Sequence, residues 1–172
     1  MSEFKKSLMT FESIIRNRGV KVTSIMSEWL AVWSKYLRFE QSFSPQRLIP
    51  YKRGTILHVH FGFNVGSEIG GSHYCIVMEN NNNPESKTIV IMPLSSLSHG
   101  KTKESLHHSE VYLGKIIPWE QKESYAMPLQ IRAISKLRII KPKIKSDSIA
   151  KINAEQLTEL DNKLKQLFTF AK

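Results

Sequence analysis

Between Ser24 and Gln41 the apolar residues Ile25, Met26, Trp29, Leu30, Trp33, Tyr36 and Leu37 recur at three- and four-residue spacing. That period predicts an amphipathic helix, with Thr23 or Ser24 able to cap its start. A shorter helix is expected over Leu8–Arg16, closed by Gly19, and Ser42-Phe-Ser-Pro45 and Pro50 break the pattern. The aromatic stripe of Trp29, Trp33 and Tyr36 reads as a packing face rather than a ligand box. From residue 51 the period changes. Thr55–Phe61 alternates in polarity, Tyr74–Met78 and Thr88–Met92 are nearly continuous apolar strands, and Pro93 is expected to end the latter. Ser109–Leu113 and Tyr125–Leu129 are short strand candidates, and Ile131–Ile140 is one strand or a strand–turn–strand. The run Asn80–Asn83 suits a turn. Short strands joined by polar loops predict a small, closed β-barrel rather than a βαβ fold. Near the end, Asn153-Ala-Glu-Gln156 has the form of a capping box, followed by a stripe of Leu157, Leu160, Leu164, Leu167 and Phe168. The expected class is α+β with a mainly β core: a helical extension over 1–50, then a barrel with a C-terminal helix over 51–172.

Composition narrows the partners. The chain has 172 residues, enough for one ordinary domain with an appendage, and 41% are hydrophobic, which supports a real core. No apolar run approaches the ~20 residues of a membrane helix, and Met1-Ser-Glu-Phe-Lys-Lys lacks a signal-like apolar core. One cysteine, Cys75, excludes an intrachain disulfide and a multi-cysteine zinc site; a reducing, cytoplasmic setting is expected. The net charge of +10 is uneven: +6 over residues 1–53, +1 over 54–140 and +3 over 141–172. Basic flanks attract polyanions, nucleic acid first among them, and serve equally as a solvated surface.

The stretch Arg53–Val77 reads as a strand, a glycine-rich loop and a second strand. Gly66, Gly70 and Gly71 permit positive φ or close backbone approach. No Gly-Lys-Ser/Thr follows, so it is not a phosphate-binding P-loop. Gly66-Ser-Glu-Ile-Gly-Gly71 resembles the loop of the PemK/MazF family of toxin ribonucleases. Ile89-Val-Ile-Met-Pro-Leu-Ser-Ser96 is similar to that family's apolar strand ending in Pro-Leu-Thr. Leu129-Gln-Ile-Arg-Ala-Ile-Ser-Lys-Leu-Arg138 is similar to its Gln-Ile-Arg-Thr-Ile-Asp segment. The resemblance runs over about 51–170 in the family's order. It implies an SH3-like barrel, usually a homodimer, that cuts single-stranded RNA such as mRNA without a metal or other cofactor, and that a protein antitoxin neutralises. Residues 1–50 lie outside it. Four positions depart from the pattern. The family's loop arginine falls at His73 and its following proline at Tyr74. The threonine of the second block falls at Ser95, and the opening Gly-Asp is Gly54-Thr55.

RNA carries its own nucleophile, so the enzyme supplies a proton acceptor, a proton donor and stabilisation of added negative charge. An imidazole exchanges protons near neutral pH more readily than a guanidinium. The resemblance therefore places catalysis on His73 and Ser95. Arg53, Ser72, Ser96 and Arg132 are substrate-binding candidates, and Gly66, Glu68, Gly70 and Gly71 shape the loop. Each has a plainer alternative: His73 as a surface histidine, Ser95 as a turn residue, Glu68 as a side chain holding the loop through backbone N–H groups, Arg132 as a structural ion-pair partner. Cys75, in an apolar strand, is expected to be inert. His58 and His60, at i and i+2, share one strand face. With His73, His107, His108 and Glu68 they suit a metal, or else a face turned to RNA. Three functions compete at this point: a metal-independent endoribonuclease, a non-catalytic nucleic-acid-binding module on the same barrel, and a metal-dependent hydrolase centred on His58 and His60.

Overall fold

The architecture comes from a computed structural model that describes residues 2–98 and 100–170. Met1, His99 and the last two residues of the expected second domain lie outside the described residues. The chain forms two compact units, residues 1–42 and 43–172.

The first unit is a pair of helices, α1 (Glu3–Asn17) and α2 (Val20–Phe39). Both begin earlier than the apolar period suggests. Ser2 caps α1 through its side chain, and Gly19, at φ 92°, turns the chain and precedes α2. Thr23 is therefore inside α2 rather than capping it; its hydroxyl donates to the carbonyls of Gly19 and Ile15. The breaker residues after Phe39 end the helix as expected.

The second unit is an antiparallel sheet with one long helix. Its strands are β1 (Ile56–Gly62), β2 (Gly71–Val77), β3 (Thr88–Ser96), β4 (Val111–Gly114), β5 (Ser124–Ala126), β6 (Arg132–Ser135) and β7 (Ile139–Lys141). The order is β4-β5-β3-β2-β1-β7, with β6 also on β3. The expected closed barrel is thus an open, barrel-like sheet whose hydrogen-bonded path ends at β4 and β7. β3 is the hub: Thr88–Ile91 pair with β6, Ile91–Pro93 with β2, and Leu94–Ser96 with β5.

Pro93 does not end β3, contrary to expectation. Its carbonyl accepts from Met127 N at 2.9 Å. In an antiparallel strand a residue's nitrogen and carbonyl face the same edge. The proline nitrogen therefore meets the gap between the last β6 pair, Ile91 with Arg132, and the first β5 pair, Leu94 with Ala126. The Met127 carbonyl accepts from Gln130 N at 2.9 Å and so needs no N–H from position 93, which is the condition for proline within a sheet. Ser95 and Ser96 consequently lie on a strand and not in a turn.

Alternation along the strands sorts the apolar side chains into two cores. Ile56, Ile76, Met92 and Leu94 pack on one side with Leu160; Leu57, Val59, Phe61, Cys75, Ile89 and Ile91 pack on the other. Leu160 belongs to α3 (Ala154–Phe168), whose Leu157 and Leu164 also touch the first core. The capping box forms: Asn153 Oδ1 accepts from Gln156 N at 2.8 Å, and Gln156 Oε1 from Asn153 N at 2.9 Å. The asparagine run leads into the turn rather than forming it: Asn81 bridges to Lys52, and the turn falls at Pro84–Glu85, with Asn83 accepting from the amides of Glu85 and Ser86. Among the described residues, no helix is long and apolar enough to cross a membrane.

Candidate active site

β2 begins at Gly71, three residues earlier than the apolar pattern suggests, so Ser72 and His73 are strand residues. In the β1–β2 register Tyr74 stands opposite His58, His73 opposite Val59, and Ser72 opposite His60. Directly opposed residues share a face. His58, His60, Ser72 and Tyr74 therefore belong to one face, and His73 to the face of Val59 and Phe61.

On the first face Ser72 Oγ lies 2.7 Å from His58 Nε2, and the His58 ring stacks on Tyr74 with centroids 4.7 Å apart. Tyr74 Oη accepts from Trp119 Nε1 at 3.0 Å. On the second face the His73 ring meets Phe61 edge-on at 6.2 Å, and the Arg132 guanidinium lies 5.7 Å from the same ring.

A cavity of about 450 Å³ is bordered by His58, Ser72 and Tyr74 of the first face and by His73. Its wall includes His58, Ser72, His73, Ser95 and Ser96, with Glu120 and Lys122 from the β4–β5 connection. Five serines in all line it, counting Ser98 and Ser124. Burial lowers the pKa of His58 most strongly; Glu120 opposes this, and His73 and Lys141 add to it. The neutral imidazole is thus the favoured form of His58. Burial likewise lowers His60, helped by His58, Lys143 and Arg138.

The glycine loop is built as its composition requires. Gly66 and Gly71 have φ of 60° and 75°, the left-handed region. Gly70 is needed for closeness: a Cβ there would sit 2.9 Å from the Gly62 carbonyl. The side chains that hold the loop are Asn64 and Gln130, while Glu68 is exposed. Asn64 Nδ2 donates to Ile69 O at 2.6 Å. Gln130 Oε1 accepts from Ile69 N and from Arg132 Nη2, and its Nε2 donates to Ser67 O.

The structure thus brings four of the expected residues, His73, Ser95, Ser72 and Ser96, to one cavity. Two others lie elsewhere. Arg53 is bonded to Asp161 of α3 and to the Met78 carbonyl. Arg132 is anchored by Gln130 beside Phe61, and neither arginine is in this cavity's wall. Among the described residues, no three His, Cys, Asp or Glu side chains come together to hold a metal. Cys75 is buried and its thiol pKa is pushed up by that burial, in keeping with an inert thiol. His58 joins the site through strand register, a relationship its i, i+2 spacing to His60 signals only as a shared face. Glu120 and Trp119 carried no signal at all, lying in a connection without periodicity.

A family model described as the PemK-like, MazF-like toxin of type II toxin-antitoxin systems matches residues 52–168. The chain belongs to this family. No curated protein matches its sequence. Among solved structures, the MazF-like unit is similar to Deinococcus radiodurans MazF (Form-I), with TM-score 0.52, 19% identity, and coverage of 69% of this chain and 96% of that one. A D. radiodurans MazE-MazF structure (Form-II) gives TM-score 0.46 at 17% identity, covering 72% of this chain and 99% of that one. Mycobacterium tuberculosis toxin MazF-mt6 gives TM-score 0.45 at 11% identity, covering 66% and 94%. At such identity the first of these likenesses speaks to the fold, which is MazF-like. The helices α1 and α2 precede the matched region.

Proposed function

We propose that this MazF-like chain is a toxin that cleaves single-stranded RNA endonucleolytically, without metal, in the cytoplasm. The description of its family, a toxin of type II toxin-antitoxin systems, supports a protein antitoxin as its neutralising partner; a homodimer is proposed as its working form. The observation that carries the reading is the convergence of His58, Ser72, His73, Ser95 and Ser96 on one cavity, with the 2.7 Å contact between Ser72 and His58.

The chemistry follows from those groups. A neutral imidazole at His58 accepts the 2′-hydroxyl proton, directly or through Ser72. The 2′ oxygen attacks phosphorus, the bond from phosphorus to the 5′ oxygen breaks, and the leaving oxygen takes a proton from His73, which borders the same cavity from the other strand face. The products are a 2′,3′-cyclic phosphate and a 5′-hydroxyl. Ser95 and Ser96 donate hydrogen bonds to the phosphate oxygens as charge builds there, with Lys122 as the nearby cation.

The test uses purified full-length protein, single-stranded RNA and EDTA. Cleavage that leaves cyclic phosphate ends, and that is lost in His73→Ala, is the expected result. Unchanged cleavage by His73→Ala removes that residue as the proton donor. Salt-sensitive binding without any cleavage leaves only a nucleic-acid-binding module, and cleavage that stops in EDTA and returns with zinc or manganese selects a metal-dependent hydrolase.

A further inference from the structure

Beside the large cavity lies a second, of about 200 Å³. The two share His58 and Tyr74. The second is walled further by Trp119 and Lys141. We infer that it is a nucleobase subsite, with the Trp119 indole as stacking platform and Lys141 as the cation for the adjoining phosphodiester. The inference deepens the ribonuclease reading above and rests on it for the position of the scissile phosphate.

Lys141 and Tyr74 stand opposite His58 in the registers of β7 and β2, so the three form a row across one face. Trp119 reaches over this row from the β4–β5 connection and donates its indole N–H to Tyr74 Oη. It is nevertheless 48% exposed. An indole fixed by its N–H, with half its surface still in water, is an oriented aromatic plane that the core has not used. His58 already occupies one face of Tyr74 by stacking, so the open aromatic surface is that of Trp119. The volume is below the roughly 300–1,000 Å³ of pockets for drug-sized ligands and suits one planar ring system. Aromatic planes beside cations are how proteins hold unpaired strands: bases stack on the ring and the cation meets the backbone. A base on Trp119 sets its own phosphodiester toward His58 and Ser72, so the subsite selects the nucleotide next to the cut.

The test uses the full chain with Trp29→Phe and Trp33→Phe, leaving Trp119 as the only indole. The probe is a short single-stranded RNA with 2′-fluoro in place of every 2′-hydroxyl, which cannot be cleaved by 2′ attack. Binding is expected to quench Trp119 emission. Separately, Trp119→Ala is expected to weaken affinity at least about 5-fold, with Trp119→Phe recovering most of it. Lys141→Ala should lower the slope of log affinity against log salt by about one. Thermal melts matching the parent protein exclude misfolding as the cause. Unchanged affinity in Trp119→Ala, or binding without quenching, overturns the subsite even where the all-ribose RNA is cleaved, and the ribonuclease reading then stands alone. Quenching and affinity loss in a protein that leaves all-ribose RNA intact keep the base subsite and overturn the ribonuclease reading.

Discussion

Ser72 Oγ touches His58 Nε2 at 2.7 Å, a diagonal contact between neighbouring strands that lines a cavity shared with His73 and Ser95. If His58 moves the 2′-hydroxyl proton, His58→Ala should lower the single-turnover rate on RNA by about 100-fold or more. Ser72→Ala should cost less, since the ring remains. Equal rates for His58→Ala and the parent protein would take His58 out of proton transfer.

Glu120 sets the second expectation. Burial is the main influence that lowers the His58 pKa, and the Glu120 carboxylate partly offsets it. Removing that charge by Glu120→Gln should move the His58 titration to lower pH still, read from its ring proton signals by NMR. A shift upward would contradict the assignment.

The same lowered values bear on stability. An unfolded histidine takes up a proton near ~6.5, before these half-buried rings do. The neutral His58 and His60 therefore contribute stability that is present above that value and lost as pH falls through it toward their lower folded values. The combined change of His58 and His60 to Gln should flatten the acid side of the melting temperature against pH. An unaltered profile would show that neither ring is held neutral.

Loop glycines should differ in kind. Gly66→Ala meets no neighbour within 4 Å and suffers only left-handed strain, about 1 kcal/mol. Gly70→Ala drives a Cβ into the Gly62 carbonyl and should cost about 2 kcal/mol or more. Denaturant melts of the two variants measure the order, and a reversed order would mean that the loop is not packed against Gly62 in solution.

Arg53 is a prediction about place. Paired with Asp161, it ties the start of the sheet to α3, with its side chain 22% exposed. Arg53→Met should lower stability by about 1 kcal/mol and leave the salt slope of RNA binding unchanged. A reduced slope would return Arg53 to the substrate surface.

Much of the fold is legible along the chain because it depends on local period and local caps. The alternation over Thr55–Phe61, the apolar runs at Tyr74 and Thr88, and the Asn153–Gln156 box each specify an element from within one short window. Errors fall where an edge is satisfied by something distant. Pro93 reads as a terminator until β5 and β6 leave its nitrogen facing a gap, and Thr23 reads as a cap until Gly19 starts α2 earlier.

The candidate site divides the same way. The amino-acid order by itself determined the glycine loop and the family resemblance, and that resemblance implied that His73, Ser95, Ser72 and Ser96 share a site. Tertiary structure alone decided that His58 bonds Ser72, that His73 takes the opposite face beside Phe61, that Arg53 pairs with Asp161 of α3, and that Trp119 donates to Tyr74. Strand register and the path of a long connection fix those contacts. Both are set by which apolar faces pack together across the whole sheet, and no window of neighbouring residues contains that information.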